Sequence, residues 1–507
     1  MANGGSTMSL MGIDVGSTGT KAVVFDLEGN QLSQSYREYP ELYPRPGWIE
    51  LEPPKVWEAF KTVVHEAAAG AKGDPVRAIS ISALGETFTP IGANGEYLHN
   101  SITSPDNRCL EQAESWAHTL GAMRVFEITG MPLHPSFTLN KIMWLRDELP
   151  EVYGRIWKCL LWPDLIMYKL GLEPAIDYTL AGRTMAFDVV RKEWSEEMCR
   201  AADISPELFA GPVQSGTVMG EMPSKACAEL GLPKGALAVA GGHDQPMNAL
   251  GAGVIREGLA VDGMGTVECI TVAFDRPVLG EAMLRNNFCC YPHTVPGMYA
   301  SIAFTYSSGS VLRWYRDNFA GEEKLQAQKE GRDVYDVILS DLPEGPTGVF
   351  VVPYFAGSGT PYLDARAKGV ILGLDTGTDR KRFVKAILEG ICCELSLNVQ
   401  RLDEAGVHID RLRATGGGSK SAYWLQLKAD ITGKQVVTLN VTESGCQAGA
   451  ILGGVATGAY DSIPQAVDVL VKERSLFEPN PERHEAYREH FAKYERIWPQ
   501  VCEVARS

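Results

Sequence analysis

The sequence lacks the long apolar segments that cross membranes. No part of its 507 residues approaches an uninterrupted apolar run of about 18. The opening residues, MANGGSTMSLMG, have neither a basic start nor an extended apolar core, so we expect no secretory signal. Residues 1–7 have the composition of a leader or a cloning remnant. We therefore predict a protein that has no membrane partner.

An excess of basic residues is also absent. The chain has 47 Lys and Arg against 63 Asp and Glu, a formal net charge of −16, whereas nucleic-acid-binding proteins are usually basic. We therefore expect no nucleic-acid partner. An anion such as ATP could still bind where backbone N–H groups and a metal ion supply local positive potential.

The cysteines show no disulfide or metal-binding spacing. The 11 cysteines are scattered, no CxxC pair occurs, and two pairs, Cys289-Cys290 and Cys392-Cys393, are adjacent in the chain. This usage is typical of reduced thiols buried as small apolar side chains, and it predicts a cytoplasmic protein.

Neither common glycine-rich phosphate motif is present, although residues 11–30, MGIDVGSTGTKAVVFDLEGN, suggest a phosphate loop. Walker and dinucleotide motifs both open a helix. Here a β-branched and aromatic run follows, Val23 to Phe25, and then a turn and an alternating segment. We predict a loop between two antiparallel strands, with no helix dipole. The candidate phosphate-binding residues are Gly16, Ser17, Thr18, Thr20 and Lys21.

Asp14 ends the first strand of this hairpin and is a candidate Mg²⁺ ligand, because Mg²⁺ binds a few carboxylates together with phosphate oxygens and waters. Two simpler interpretations stay open. The segment could be a plain glycine hairpin with surface hydroxyls, and Asp14 could only stabilise the turn.

A second segment repeats the plan. Residues 258–277, GLAVDGMGTVECITVAFDRP, predict a strand, a Gly-x-Gly-Thr turn at 263–266 and another strand. This pattern indicates an internal duplication in which each half starts on a phosphate-binding hairpin. Gly265 and Thr266 are the candidate phosphate-binding residues of the second hairpin, and an ordinary hairpin is the alternative.

The segment before this hairpin carries Asp244. Residues 235–254, GALAVAGGHDQPMNALGAGV, predict a buried strand, a turn at Gly241-Gly242 and a helix with Pro246 near its start. Asp244 therefore lies where a strand ends and a helix begins. It could act chemically, or it could only cap the helix.

The remaining pattern alternates helices and strands. Helices are predicted over 56–69, over 139–162 with a break near Pro150, and over 379–406; residues 76–85 predict a buried strand, and residues 411–433 a strand, three glycines and a helix. Together these features predict an α/β protein with the two-domain actin-like ATPase (ribonuclease H-like) fold and ATP in the interdomain cleft. The predicted domains are residues 8–254 and 255–507.

Five stretches resemble the FGGY carbohydrate kinases, the family that contains xylulokinase and glycerol kinase. They are GIDVGSTGTK (12–21), PGWIELEP (46–53), SFTLNKIMWLRDE (136–148), PYFAGSGTPYLDARAKGVILGL (353–374) with RFVKAILEG (382–390), and GGGSKSAYWLQLKADITG (416–433). The resemblance spans roughly residues 10–475. It implies a kinase that uses ATP and Mg²⁺, and it is compatible with a homodimer.

The resemblance also implies residue roles. Asp244 would accept the proton of the acceptor hydroxyl, and Asp14 and Asp244 would hold the metal. His243 is an alternative base, although a histidine in a glycine turn is more often structural. Beyond the two hairpins, the nucleotide would contact Gly309, Gly416, Gly417, Gly418 and Ser419.

The resemblance also implies which residues bind the substrate. They are Glu86, the pair Asp244 and Gln245, and Asp106 or Arg108. A carboxylate at Glu86 would repel a sugar acid, which favours a neutral ketopentose or ketotetrose. A glycerol- or erythritol-like polyol is the second expectation, and gluconate is third. A nucleotide-binding regulator without catalysis on the same fold is the alternative of another class.

Overall fold

The N-terminal half of the fold is built on a six-stranded sheet. We describe residues 8–71 and 73–506 from a computed structural model; the predicted leader, residues 1–7, lies outside the described residues. The strands of this half are β1 (Ser9–Val15), β2 (Gly19–Phe25), β3 (Gln31–Glu38), β4 (Glu50–Leu51), β5 (Val76–Ala83), β6 (Phe88–Gly92), β7 (Ser101–Ile102), β8 (Ile156–Leu161), β9 (Ala175–Asp177), β10 (Phe187–Asp188), β11 (Glu193–Trp194), β12 (Gly211–Val213), β13 (Val218–Glu221) and β14 (Leu237–His243). The main sheet has the order β13-β14-β5-β1-β2-β3, and a four-stranded sheet has the order β4-β7-β6-β8.

Helices of this half surround those sheets. They are α1 (Pro53–Gly70), α2 (Leu110–Thr119), α3 (Ala122–Thr129), α4 (Thr138–Glu148), α5 (Pro150–Tyr153), α6 (Trp162–Lys169), α7 (Tyr178–Gly182), α8 (Glu196–Ala202), α9 (Ser224–Leu230) and α10 (Asp244–Gly251). Helix α1 shows how the sequence selects a helix and its buried face. Two prolines open it, and its apolar residues at helical spacing are buried, including Val56, Phe60 and Val63.

The C-terminal half is built on a seven-stranded sheet with the order β17-β18-β16-β15-β21-β22-β23. The strands of this half are β15 (Gly258–Met264), β16 (Glu268–Phe274), β17 (Tyr291–Pro292), β18 (Tyr299–Thr305), β19 (Phe350–Val352), β20 (Val370–Leu372), β21 (Ile409–Thr415), β22 (Gln435–Leu439) and β23 (Glu473–Phe477). Its helices are α11 (Glu281–Arg285), α12 (Gly309–Asn318), α13 (Gly321–Glu330), α14 (Val334–Ile338), α15 (Arg380–Glu404), α16 (Ala422–Thr432), α17 (Ser444–Ala456), α18 (Ile463–Leu470), α19 (Pro481–Tyr494) and α20 (Ile497–Val501).

Both predicted hairpins are present, and the two halves share a plan. Strand β1 pairs antiparallel with β2, with Asp14 opposite Lys21, and parallel with β5. Strand β15 pairs antiparallel with β16, with Asp262 opposite Ile270, and parallel with β21. The prediction of a strand rather than a helix after each glycine loop is therefore confirmed.

Two local predictions are wrong. Residues 156–161 form β8 rather than helix, because this segment pairs antiparallel with β6 and gains its hydrogen bonds there. Gly241 and Gly242 do not form a turn but continue β14 through an irregular register beside β5. A Cβ on Gly241 would lie 1.9 Å from the Ile81 carbonyl oxygen, so the glycine permits close pairing with the neighbouring strand.

Three apolar clusters form the core. One fills the N-terminal half and one the C-terminal half. The third joins the halves, since it packs β1 and α10 side chains such as Leu10 and Leu250 against Cys446 and Ile451 of α17. Within the described residues, no helix is both long and apolar enough to cross a membrane. The cysteines, all of them described, form no disulfide.

Helix α17 approaches its neighbours backbone to backbone, and glycines make this distance accessible. A Cβ on Gly12 would lie 1.7 Å from the Cys446 carbonyl oxygen, and a Cβ on Gly251 would lie 1.8 Å from that of Ser444. From the α17 side, a Cβ on Gly449 would lie 2.7 Å from the Gly12 Cα. Real Cβ atoms cannot occupy these positions without moving the backbone.

We expect Gly12→Ala to lower the free energy of unfolding by about 1–3 kcal/mol or more, because the added methyl overlaps α17 backbone that has no rotamer to change. Urea unfolding followed by circular dichroism measures the change. Gly211→Ala is the matched control, since a Cβ there has no neighbour within 4 Å. Equal stability of the two variants would contradict the close contact.

Candidate functional site

A cavity of about 210 Å³ lies between the two hairpins. We call it the phosphate cavity. Its lining includes Asp14 from β1, Gln245 and Asn248 from α10, Gly263 from β15, Thr415 and Gly416 after β21, and residues 442–446 at the start of α17. Groups from both halves of the chain therefore meet around one small polar space.

Asp14 enters this cavity from the end of β1. Its Oδ1 accepts a 2.7 Å hydrogen bond from Ser82 Oγ on the adjacent strand β5. Burial and the nearby carboxylate of Glu443 raise the pKa of Asp14, whereas Ser82 and Lys21 act in the opposite direction. The ionised form of a partly buried carboxylate that lies near another carboxylate is stabilised by a bound cation.

Asp244 is the first residue of α10. Its pKa is raised to about 7 by burial and by the charges of Asp14 and Glu86. About a third of the side chain is exposed, yet its Oδ1 is buried and has no hydrogen-bond partner. His243 Nε2 lies 3.1 Å from that oxygen, off the line of a hydrogen bond. Burial and Arg183 lower the pKa of His243 to about 3, so the ring is neutral.

The first phosphate loop is residues 15–19. Gly16 N donates to Gly19 O at 2.9 Å, and the Tyr39 hydroxyl donates to Gly16 O at 2.6 Å. Thr18 is exposed, and Gly16 and Ser17 are partly exposed, so their polar groups are accessible to a ligand. Lys21 forms a 2.7 Å ion pair with Glu443 across the two halves.

Thr20 does not fit its predicted role. It is fully buried, and its hydroxyl shares a 3.2 Å hydrogen bond with the Tyr39 hydroxyl. We correct the prediction that Thr20 contacts phosphate. In β2 the side chains alternate between faces, which sends Thr20 into the core while Lys21, on the other face, reaches Glu443.

A larger cavity of about 960 Å³ opens beside the second hairpin. We call it the nucleoside cavity. It brings together five residues that the sequence suggested, Gly265, Thr266, Gly309, Gly417 and Gly418. Arg313 Nη2 donates to Thr266 Oγ1 at 2.9 Å. Gly416 instead lines the phosphate cavity, and Ser419 Oγ donates to Gly416 O at 2.7 Å within its own turn.

The predicted substrate carboxylate, Glu86, is nearly fully buried and has a left-handed backbone, φ 56°. Arg183 Nε donates to its Oε1 at 2.5 Å. Burial favours the neutral acid, but the charges of Arg183 and Lys141 lower the pKa of Glu86. Glu86 is therefore an ionised carboxylate paired with a guanidinium.

Asp106 and Arg108 are buried and bind each other, so the structure does not support the prediction that either contacts substrate. Both side chains have no exposed surface, and they pair at 2.7 Å. Arg108 also donates to Glu50 at 2.9 Å and lies over the Trp48 ring at 4.1 Å. The sequence pattern identified a loop, but it could not reveal that the loop turns these charges inward.

Comparison with known families decides what kind of site this is. The FGGY family of carbohydrate kinases matches over both of its domains, the N-terminal domain at residues 9–251 and the C-terminal domain at residues 263–457. The chain belongs to the FGGY family. It is accordingly a carbohydrate kinase, a phosphotransferase, and membership in this family implies the use of ATP.

Similar proteins extend over the whole chain. The xylulose kinase of Staphylococcus epidermidis is 28% identical over 499 residues, covering 98% of this chain and 97% of its own. The gluconokinase of Bacillus subtilis is 29% identical over 515 residues, covering 99% and 96%. The structure of gluconate kinase from Lactobacillus acidophilus superposes with a TM-score of 0.89 at 24% identity, covering 98% of each chain. The two-domain actin-like fold is thereby confirmed.

Several residues at this FGGY site were missed in the sequence. Arg183 pairs with Glu86, Asn248 and Glu443 line the phosphate cavity, and Arg313 lines the nucleoside cavity. Asn248 lies one helical turn after Asp244 on α10, so helical spacing could have suggested it. Arg183 and Glu443 have no local signal, because their partners lie 97 and 422 positions away in the chain.

A buried ion cluster supports the second hairpin. Lys428 of α16 contacts the carboxylates of Asp262 and Glu268, the latter at 2.6 Å, and these two residues flank the Gly-x-Gly-Thr turn. Ser308 Oγ donates to Glu268 Oε2 at 2.6 Å. Burial and the charge of Glu268 raise the pKa of Asp262, against the opposing effect of Lys428.

We expect Lys428→Met to lower the free energy of unfolding by about 3–5 kcal/mol at neutral pH, because two buried carboxylates lose their counter-charge. The native pKa of Asp262, already raised, then lies further above its unfolded value, so the native state of the variant binds more protons than the unfolded state. The loss should therefore shrink as the pH falls toward about 5 and grow as it rises toward about 8.

Chemical unfolding across this pH range measures the effect. Lys61→Met is the control, since Lys61 pairs with Glu58 and Glu229 at the surface and should contribute about 1 kcal/mol or less. A pH-independent loss in Lys428→Met would contradict the charge assignment.

Proposed function

We propose that this kinase transfers the γ-phosphoryl group of ATP to a hydroxyl of a neutral ketose, such as a pentulose or tetrulose, with Asp244 as the base. The observation that carries the proposal is the convergence of Asp14, Gln245 and the second hairpin on the phosphate cavity, next to Asp244. The nucleoside cavity adjoins it through Gly416 and Gly417. The phosphates of a nucleotide bound in the nucleoside cavity would thus extend toward Asp244.

The chain holds the nucleotide with backbone and neutral groups more than with charge. The two hairpin turns present glycine backbone, and Thr266 and Ser17 offer hydroxyls. The glycines Gly417 and Gly418 leave room for a base or ribose to approach the backbone closely. Arg313, held by Thr266, is a cation at the boundary between nucleoside and phosphates.

Asp14 and Asp244 fit a Mg²⁺ ion. Asp14 raises the pKa of Asp244, which means that the two carboxylates repel each other when both are ionised and would gain from a cation between them and the phosphates. Mg²⁺ needs only one or two protein carboxylates, because it takes the rest of its shell from phosphate oxygens and water. When bound, Mg²⁺ neutralises charge on the transferring phosphates.

Asp244 acts on the acceptor hydroxyl. As the hydroxyl oxygen forms its bond to the γ-phosphorus, the bond from that phosphorus to the β,γ-bridging oxygen breaks, ADP leaves, and the hydroxyl proton passes to the Asp244 carboxylate. A carboxylate whose pKa is about 7 is a stronger base than an ordinary aspartate and is still substantially ionised at neutral pH.

Glu86 and Arg183 support the choice of a neutral polyhydroxy substrate. A carboxylate and a guanidinium side by side accept from and donate to neighbouring hydroxyls, and together they carry no net charge. Gln245, next to Asp244, supplies an amide that can also bind hydroxyls. A linear or furanose ketose offers such hydroxyls, and a polyol offers them too.

Gluconate is a second candidate, and Arg183 is the reason. The expectation that Glu86 repels sugar acids assumed an unpaired carboxylate, whereas Arg183 compensates its charge. A whole-length relative is also named a gluconokinase.

The eleven unpaired cysteines support our further proposal that the protein works in the reducing cytoplasm.

A substrate panel tests the function. ADP release is measured with ketopentoses, ketotetroses, glycerol, erythritol and gluconate, each with ATP and Mg²⁺. We expect the highest kcat/KM with a ketose. Preference for gluconate would replace the leading substrate class, and no stimulation by any sugar would favour the nucleotide-binding regulator.

We expect Asp244→Asn to lower kcat by about 10²–10⁴-fold, because the amide cannot accept the hydroxyl proton. Asp203→Asn is the control, since Asp203 is an exposed residue at φ 54°, a conformation that asparagine also adopts. Substantial activity of Asp244→Asn with the preferred sugar would show that another group accepts the proton.

The pKa of Asp244 also predicts a pH profile. The base works only when ionised, so kcat/KM, which reports the free enzyme, should rise with pH and level off above about 7. Initial rates at subsaturating substrate from about pH 5.5 to 8.5 measure the profile. A rate that falls over this interval would contradict the assignment.

A further inference from the structure

His243 lies beside the proposed base and has no role in the scheme above. It ends β14, is 4% exposed, and directly precedes Asp244. Its ring contacts residues from both halves of the chain: Nδ1 lies 3.0 Å from the Tyr291 hydroxyl of β17, and Nε2 lies 3.1 Å from Asp244 Oδ1. The ring thus connects a buried hydroxyl to one oxygen of Asp244.

The backbone at His243 is held by α7. The His243 N–H donates to Thr179 Oγ1 at 2.7 Å, and the Thr179 hydroxyl in turn donates to Asp177 Oδ1. Asp177 also accepts from the Thr179 N–H at 2.8 Å as the helix N-cap. The Gly242–His243 peptide, which leads into the His243 side chain, is therefore anchored to α7.

The ring itself has little freedom. Gly85 faces it so closely that a Cβ there would lie 2.9 Å from both Cδ2 and Nε2. The Tyr291 ring also contacts the His243 ring: the centroids of the two rings are 5.8 Å apart and their planes are tilted by 51°. A ring confined in this way presents Nε2 to Asp244 in one orientation.

The tautomer follows from the partners. If Nδ1 carried the proton, Nε2 would direct a lone pair at the buried Asp244 Oδ1, which has no other partner. If the Tyr291 hydroxyl donates to Nδ1, the proton lies on Nε2 and that oxygen gains a donor. When Asp244 is ionised, as a base must be, only the second arrangement gives its Oδ1 a donor and the Tyr291 hydroxyl an acceptor.

We propose that His243 is a positioning residue for phosphoryl transfer: its Nε2–H, with the tautomer set by Tyr291, holds Asp244 Oδ1 so that Oδ2 faces the acceptor hydroxyl. The inference rests on the proposed role of Asp244 as base. The 3.1 Å approach is off the hydrogen-bond line without ligands, and hydrogen bonds of this kind often align only in the complex with substrate. His243 itself is not the base, because Tyr291 occupies Nδ1 and the other nitrogen faces Asp244.

Two substitutions test the roles of the two ring nitrogens separately. The amide of His243→Asn reaches the Nδ1 position, whereas that of His243→Gln reaches the Nε2 position and can still donate to Asp244. We expect His243→Asn to lower kcat by about 10–100-fold with less than about threefold change in the KM values for ATP and sugar. His243→Gln should recover most of kcat. Tyr291→Phe, which removes the tautomer-setting hydroxyl, should lie between them.

The double variant His243→Asn/Asp244→Asn tests whether His243 acts through Asp244. If it does, the double variant loses no more kcat than Asp244→Asn alone. The proposal would be overturned if the kcat losses of the two single variants multiply in the double variant. It would also be overturned if His243→Asn and His243→Gln lose kcat equally and in proportion to their lowered melting temperatures. Wild-type kcat in His243→Asn would likewise overturn it.

These outcomes are distinct from failure of the proposed function. An active Asp244→Asn variant would remove the base, whatever His243 does. An inactive Asp244→Asn variant with a fully active His243→Asn variant would keep the base and reject its positioning by His243. Thermal unfolding of every variant shows whether a kinetic loss reflects folding.

Discussion

The fold depends on a backbone contact between its two halves, in which α17 lies directly on β1 and α10. Gly12, Gly251 and Gly449 leave no side chain between these segments. The distance between the segments is therefore set by main-chain atoms alone. Asp14 ends β1, Asp244 begins α10, and Glu443 precedes α17. The same contact that joins the halves therefore fixes the spacing of the acidic groups around the phosphate cavity.

Charge is arranged differently on the two sides of Asp244. On the phosphate side, Asp14 and Asp244 both have raised pKa values and lack a strong cationic partner, so a cation that enters with the nucleotide would be stabilised there. On the substrate side, Arg183 already compensates Glu86. Selection on that side thus depends on hydroxyl geometry more than on net charge, and this is why a neutral sugar and gluconate need direct comparison.

Local patterns predicted the parts of the site that are continuous in sequence. The hairpins follow from β-branched runs after each glycine turn, and the strand–glycine–helix at 409–432 follows from its change of period. Predictions that depended on the direction in which a side chain points were less accurate. Thr20, Asp106 and Arg108 lie in the expected segments, yet each points into the core, because alternation in a strand and pairing in a loop depend on neighbours that sequence spacing does not identify.

By itself the sequence determined the duplicated hairpin plan, the α/β class and the FGGY resemblance, since each is built from motifs that are continuous in the chain and can be read one after another. Only the tertiary structure decided which distant groups meet: Arg183 with Glu86, Lys21 with Glu443, Lys428 with Asp262, and Tyr291 with the ring beside Asp244. The physical reason is that local conformation is set by nearest neighbours in the chain, whereas charge pairing and proton placement are set by nearest neighbours in space.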